Sequence, residues 1–290
     1  MSAAAPPSGS ELILTLSCPD RRGIVARTAG FVAERGGNIL DSHQFGDPDA
    51  ATFFMRIHFA TDETDGPDAW RTAFAPIGDE LGMTWELHDL AVRPRLLLVV
   101  SREGHCLNDL LYRWRTGGIR ADVAAVASPY DDFAALAGAY DLPYHRVPGP
   151  GTAPEDLDAA LLELVDRERV DLVVLARFMQ ILGSDACRRL AGRAINIHHS
   201  FLPSFKGAGP YRQAHERGVK LIGATAHYVT EELDEGPIIE QEVARVDHSQ
   251  GVAELARVGR DVECVALARA VRWHTEHRIL LHGRRTVVFR

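Results

Sequence analysis

The sequence predicts an α/β protein in two parts: a small α+β module over residues 10–90, then a mostly parallel sheet with helices on both faces over residues 96–290. Three observations carry this. In the first ninety residues, apolar positions alternate with polar ones. From Leu96 onward the apolar runs become continuous, as in Leu96–Val100, which marks strands buried on both faces. Between those runs lie amphipathic stretches of helical period, so strand and helix alternate. The charged, proline-bearing segment over residues 91–95, with Arg93-Pro94-Arg95, falls at the change and reads as a linker.

In the first module, Glu11 to Ser17 alternates as a strand with Leu12, Leu14 and Leu16 on one face. Cys18-Pro19-Asp20 breaks it. Gly23 to Arg35 places Ile24, Val25, Thr28, Phe31 and Val32 at helical spacing, and Gly36-Gly37 is its stop. Asn38–Phe45 is a second strand, Gly46-Asp47-Pro48-Asp49 a turn, and Thr52–Phe59 a third strand. A helix over Pro67–Leu81 and a strand over Met83–Leu87 complete the order strand-helix-strand-strand-helix-strand, a ferredoxin-like arrangement.

In the second module, the strand Leu96–Val100 precedes a helix at about Cys106–Arg115. Strands follow over Asp122–Ala127, Pro143–Val147, Asp171–Ala176 and Ala194–His198, separated by helices over Asp132–Tyr140, Pro154–Arg167 and Ser184–Leu190. Glu155 and Asp156 suit the positive end of their helix, and Ser184 is the expected cap of its own. Leu221–Thr230 and Pro237–Val246 are further strands around an acidic loop. Gln250–Thr275 is a long helix, and Arg278–Phe289 a terminal hairpin turning at Gly283.

The 290 residues, 46% of them hydrophobic and 25% charged, are ordinary for a folded protein with a sizeable core. A formal charge of −8 argues against a nucleic-acid or anionic-membrane partner. The scattered cysteines Cys18, Cys106, Cys187 and Cys264 form no CxxC pair, which speaks against a zinc knuckle and suits a reducing compartment. Residues 1–9 have neither a basic nor an apolar stretch and read as a tail, not a signal peptide. No apolar run reaches membrane-spanning length, so the cytoplasm is the expected location.

The strand Ala194–His198 carries the chemistry. Side chains alternate on a strand, so Asn196 and His198 share a face with Cα atoms roughly 6–7 Å apart. An amide donor and a titratable imidazole facing one space suit stabilising an oxyanion while moving a proton. His199 has the opposite parity, and a metal held jointly with His198 is not expected. The acid comes from Glu231-Glu232-Leu233-Asp234-Glu235-Gly236, with four carboxylates in five residues. Asp234 stands apart from its neighbours because it adjoins Gly236-Pro237, where the chain returns to the sheet.

Cys18-Pro19-Asp20-Arg21-Arg22-Gly23-Ile24-Val25 together with Gly36-Gly37-Asn38-Ile39 resembles the ACT domains. That resemblance implies an amino-acid effector with Asp20 and Asn38 as its contacts, and assembly into a homo-oligomer. The bland alternatives are that Asp20 caps the helix and Asn38 fills a turn. Asn196-Ile197-His198, Leu202-Pro203 and Leu233-Asp234-Glu235-Gly236-Pro237 resemble the folate-dependent formyltransferase fold, a Rossmann-like sheet. By that resemblance Asn196, His198 and Asp234 are catalytic. Met179, Gln180 and Leu182, with Thr230, Glu231, Glu232 and Leu233, would line a folate pocket.

Glycinamide ribonucleotide transferases of that fold carry Gly-Ser-Asn after the first strand to hold a phosphate; here Gly104, His105 and Cys106 stand there. An imidazole and a thiol would block the acceptor site. With the extra first module and His198-His199-Ser200-Phe201-Leu202-Pro203-Ser204-Phe205, the chain resembles the formyltetrahydrofolate deformylases. That implies hydrolysis of 10-formyltetrahydrofolate to tetrahydrofolate and formate, with no metal and no tightly bound cofactor. The rival readings are transfer to an amine such as glycinamide ribonucleotide, and a non-catalytic folate- or amino-acid-binding regulator.

Overall fold

The computed structural model describes residues 9–62, 66–203 and 209–290. Most of the expected tail, and Ser204-Phe205 of the quoted motif, lie outside the described residues. Two compact units emerge. The first runs to Arg93 and takes in His277–Leu280 and Val287–Arg290; the second is Pro94–Glu276 with Leu281–Thr286. The ends of the C-terminal hairpin thus group with the first unit, where the sequence assigned the whole tail to the second. Among the described residues no helix is long and apolar enough to cross a membrane.

The first unit is built from β1 (Ser10–Pro19), α1 (Ile24–Glu34), β2 (Asn38–Asp47), β3 (Thr52–Thr61), α2 (Gly66–Leu81) and β4 (Thr84–Asp89). The strands order β2-β3-β1-β4, with antiparallel neighbours throughout. The alternating Leu12, Leu14 and Leu16 pack with Phe31, Phe59, Trp70 and Phe74. Helix α1 stops at Gly36, whose φ of 74° is a left-handed conformation natural to glycine. The Gly36 and Gly37 amides then donate to the Ala33 and Val32 carbonyls at 3.0 and 2.8 Å. The start of α1 is Gly23, and no side chain caps it. Asp20 is therefore not its cap, and Asn38 opens β2 instead of filling a turn.

The second unit holds β5 (Arg95–Val100), α3 (His105–Arg115), β6 (Asp122–Ser128), α4 (Ala134–Ala139), β7 (Tyr144–Arg146), α5 (Pro154–Arg167) and β8 (Leu172–Ala176). It continues through α6 (Ser184–Arg189), β9 (Ala194–His198), α7 (Pro210–Glu216), β10 (Leu221–Tyr228), β11 (Ile238–Arg245) and α8 (Val252–Thr275), and the hairpin β12 (Ile279–His282) and β13 (Arg285–Val288) ends the chain. The sheet order is β11-β10-β9-β8-β5-β6-β7. Strands β9, β8, β5, β6 and β7 run parallel, whereas β10 pairs antiparallel with both β9 and β11. The chain grows outward from β5 to β7, then crosses back to β8, which makes a switch point at the β5–β8 boundary. Crevices beyond the carboxyl ends of strands at such a point hold ligands.

Two local expectations change. Helix α6 starts at Gly183, and no side chain of its own caps it, so Ser184 is not the cap. The buried Asp158 of α5 serves instead, accepting from the Gly183 and Ala186 amides at 2.8 and 3.1 Å. Helix α7 has no counterpart in the sequence reading.

Candidate active site

Strand β9 delivers Asn196 and His198 on one face to the carboxyl end of the sheet. His198 is buried, and its Nδ1 lies 3.2 Å from Asp234 Oδ2. Asp234 takes φ 58°, a left-handed conformation that Asp tolerates better than most residues. What holds it there is Gly236: a Cβ at that position would come within 1.7 Å of the Tyr228 carbonyl oxygen. The loop packs so closely that only glycine fits. The β10–β11 register slips between Ala226 and His227, and such bulges re-aim side chains next to active sites.

That slip presents His227, opposite Asn196 in the antiparallel β9–β10 ladder. His227 Nδ1 is 2.9 Å from the Tyr228 carbonyl oxygen, which can only accept, so Nδ1 carries the hydrogen. In the neutral ring Nε2 is then an acceptor for Asn196 Nδ2 at 3.2 Å. This fixes the amide with its second N–H free and its orientation set. His227 Nε2 is also 3.7 Å from Asp234 Oδ1, beyond hydrogen-bond range, so His198 is the direct partner of the carboxylate. Burial alone would raise the Asp234 carboxyl; the His198 and His227 imidazoles more than offset it and hold it well below the usual carboxylate range. His198 Nε2 is buried with no hydrogen-bond partner among the described residues. With Nδ1 turned to Asp234, Nε2 is the atom left for a substrate.

A cleft beside these groups is lined by Gln180, Leu182, Thr230, Glu231 and Leu233, together with Asn196, His227 and Asp234. Ile181 and Leu233 line it while remaining 63% and 59% exposed, an apolar lip of the kind that marks a ligand site. Met179 and Glu232, expected in that lining, are not part of it. Met179 sits at φ 62° and is 62% exposed, because its left-handed backbone turns the side chain outward. Asp20 and Asn38 are exposed on the first unit.

His105 and Cys106 open α3 and are not in the lining of the cleft beside Asn196, His227 and Asp234. His105 Nε2 contacts Glu263 Oε2 at 2.7 Å, and Glu263 also accepts from Tyr211 Oη at 2.5 Å and faces Arg177 Nε at 3.3 Å. Burial would raise the Glu263 carboxyl; the His105 hydrogen bond, the Arg177 charge and Tyr211 bring it below its ordinary value. The Cys106 thiol is pushed well up by its contact with Cys264 and by burial, so it stays protonated. His105, Cys106 and Glu263 place ligand atoms within 4.8 Å of one another, a spacing a metal could use. His105 and Tyr211 each hold one oxygen of the carboxylate and Arg177 faces it, so these side chains form an ion-pair and hydrogen-bond network. The four cysteines are free.

His199 lies just past the end of β9, so strand parity does not reach it, and its ring is 5.2 Å from that of His198. Burial, then the Arg177 guanidinium and His198, lower its pKa to about 4 and keep the ring neutral. Arg177, Tyr211, His227 and Glu263 are not among the site residues the sequence pointed to. Glu263 alone left a trace, as a charged residue among the apolar positions of the long helix.

The fold and site define a class. Residues 12–69 match the family model described as the ACT domain, and residues 94–271 the one described as formyl transferase. The chain is 47% identical to a formyltetrahydrofolate deformylase of Corynebacterium sp. (strain P-1), over 96% of this chain and 98% of that one. It superposes with TM-score 0.93 on the crystal structure of a formyltetrahydrofolate deformylase from Pseudomonas syringae pv. tomato, at 47% identity, over 97% of this chain and 95% of that one. The chain belongs to the formyltetrahydrofolate deformylase family. A glycinamide ribonucleotide transformylase from Symbiobacterium toebii is similar over less of it: 33% identity and TM-score 0.65, covering 68% of this chain and 95% of the other.

Proposed function

We propose that the chain hydrolyses 10-formyltetrahydrofolate to tetrahydrofolate and formate. The observation that carries this is the convergence of Asn196, His198 and Asp234 beside an apolar-lipped cleft, with His198 joined to Asp234 at 3.2 Å. The cleft takes the pterin, with Gln180, Leu182, Thr230, Glu231 and Leu233 as contacts. The free N–H of Asn196 donates to the formyl oxygen as it becomes an oxyanion; losing such a donor typically costs about 10²–10³ in rate. Asp234 orients the attacking water, and His198 takes its proton and delivers one to the departing N10. A C–O bond to water forms, the C–N10 bond breaks with one water proton delivered to N10, and the formic acid released gives its remaining proton to solvent and leaves as formate. His227 keeps the Asn196 amide in register.

No step here calls for a metal or a resident cofactor. The ACT domain takes an amino-acid effector, with Asp20 and Asn38 as contacts, and the chain works as a homo-oligomer in the cytoplasm. Transfer to an amine is the weaker reading, because the relatives that match almost the whole chain are deformylases by name and the transformylase matches only about two thirds of it. The test is formate release from 10-formyltetrahydrofolate in buffer without an amine acceptor or added metal. Formate that appears only with an acceptor would refute the hydrolase reading.

A further inference from the structure

A second cavity of about 280 Å³ opens beyond β9 and is lined by Glu103, Arg177, His199, Tyr211, Arg260 and Glu263. It is separate from the cleft assigned to folate, and no lining residue is common to the two. Arg177 dominates it. The residue leaves β8 with φ 62°, and only 12% of its side chain is exposed. Its Nε faces Glu263, but neither Nε nor Nη1, both buried, completes a hydrogen bond. Glu263 has little left to give, since Tyr211 and His105 each hold one of its oxygens. A buried guanidinium with unanswered N–H groups is costly and calls for an acceptor.

The location narrows the choice. The ring of His199 lines this cavity and sits 5.2 Å from that of His198. On the other side, the folate cleft carries Asp234 and Glu231, both of which repel an anion. Hydrolysis turns a neutral formamide into an anion at this point. The anion is driven away from the acidic cleft and toward the guanidinium. Arg260, half-exposed at the cavity and 3.9 Å from Glu103, places a second guanidinium at its edge. A planar carboxylate matches the fork of an arginine.

We propose that the Arg177 cavity is a small-carboxylate site that receives formate as it leaves the catalytic groups. This rests on the hydrolytic reading above. It assigns a role to Arg177, Glu263, His105 and Tyr211 together: Glu263, itself held by His105 and Tyr211, faces the guanidinium from one side, and the cavity beside Arg177 is where an acceptor would meet it.

The test is titration of the full chain with ¹³C-formate, read by NMR line broadening. A ligand of three heavy atoms should bind in about the millimolar range. Asp234→Asn, catalytically impaired, should still bind formate. Arg177→Lys keeps a cation beside Glu263 but loses the fork, and binding should weaken by about tenfold or more. Should that variant fail to fold, Arg260→Gln serves instead, with binding weakened several-fold. Equal formate binding by the wild type and the folded arginine variants, or none by a wild type that turns over, overturns the site. Saturable, Arg177-dependent binding without formate release from 10-formyltetrahydrofolate would instead overturn the hydrolytic reading and leave a carboxylate site standing.

Discussion

Gly236→Ala tests whether the acidic loop places the Asp234 carboxylate, to which the proposed mechanism gives the water. The Cβ it adds would lie 1.7 Å from the Tyr228 carbonyl oxygen, which already accepts from His227 Nδ1 at 2.9 Å, on a residue whose amide donates to the Pro237 carbonyl at 3.0 Å. An ordinary carbon–oxygen contact is about 3.3 Å, so the loop must retreat by about 1.5 Å. Asp234 is two residues away and makes its His198 contact at 3.2 Å, with little slack before hydrogen bonding is lost. A misplacement of about 1 Å in a catalytic group can cost ~10² in rate, and here the water-orienting group and the partner of His198 move together. We expect kcat for formate release to fall by ~10²–10³ while stability drops by about 1–3 kcal/mol from overpacking. The control is Gly138→Ala in α4, where an added Cβ meets nothing within 4 Å and the helix gains about 0.5–1 kcal/mol. The assay is continuous formate detection alongside thermal unfolding. A Gly236→Ala enzyme with near-wild-type kcat would show that the loop is not held by that contact.

Asn196→Ala should lower kcat by about 10²–10³ with folate affinity within several-fold, measured by steady-state kinetics and fluorescence binding. His227→Phe keeps the bulk but removes the acceptor for Asn196 Nδ2, and kcat should fall by ~10–100-fold at nearly constant Tm; an unchanged rate would remove His227 from the orienting role. Asp158→Ala leaves two amides at the start of α6 without their acceptor and should cost about 1–3 kcal/mol in chemical denaturation. Because the Asp234 carboxyl is held low by its imidazole neighbours, its folded value lies below the unfolded value of about 3.9. The stability it contributes is then present above about pH 4 and is lost as pH falls through the lowered folded value. The denaturation midpoints of wild type and Asp234→Asn should therefore differ most near neutral pH and converge in acid; a gap that widens in acid would contradict the sign.

The sequence made the sheet legible where strands announce themselves by composition. Leu96–Val100 and Leu172–Ala176 are continuous apolar runs, and every residue from Leu96 to Val100 is buried. The grouping of Asn196, His198 and Asp234 was legible for a different reason: Asn196 and His198 share strand parity, Gly236-Pro237 singles out Asp234 among four carboxylates, and the motifs around them resemble those of a known family. Where pairing direction mattered, legibility ended. A period-two pattern is the same for parallel and antiparallel neighbours, so nothing in Leu221–Tyr228 reveals that β10 runs against β9. That direction and register are what set His227 opposite Asn196.

Backbone conformation hid the remaining parts. Met179 belongs to the expected pocket by its neighbours, yet a left-handed φ turns it to solvent. Arg177 has the same unusual backbone with the opposite outcome, its charge carried inward to Glu263 of α8. Neither residue type favours that conformation, so no local rule could have anticipated either. Glu263 reads from sequence as one more charge on a long amphipathic helix, and only its meeting with α3, α7 and the end of β8 gives it a role. The transformylase superposes on this same sheet. What separates water from an amine as the formyl acceptor is therefore sought in side chains such as these, which converge from distant parts of the chain, and not in the order of strands that the sequence displays most openly.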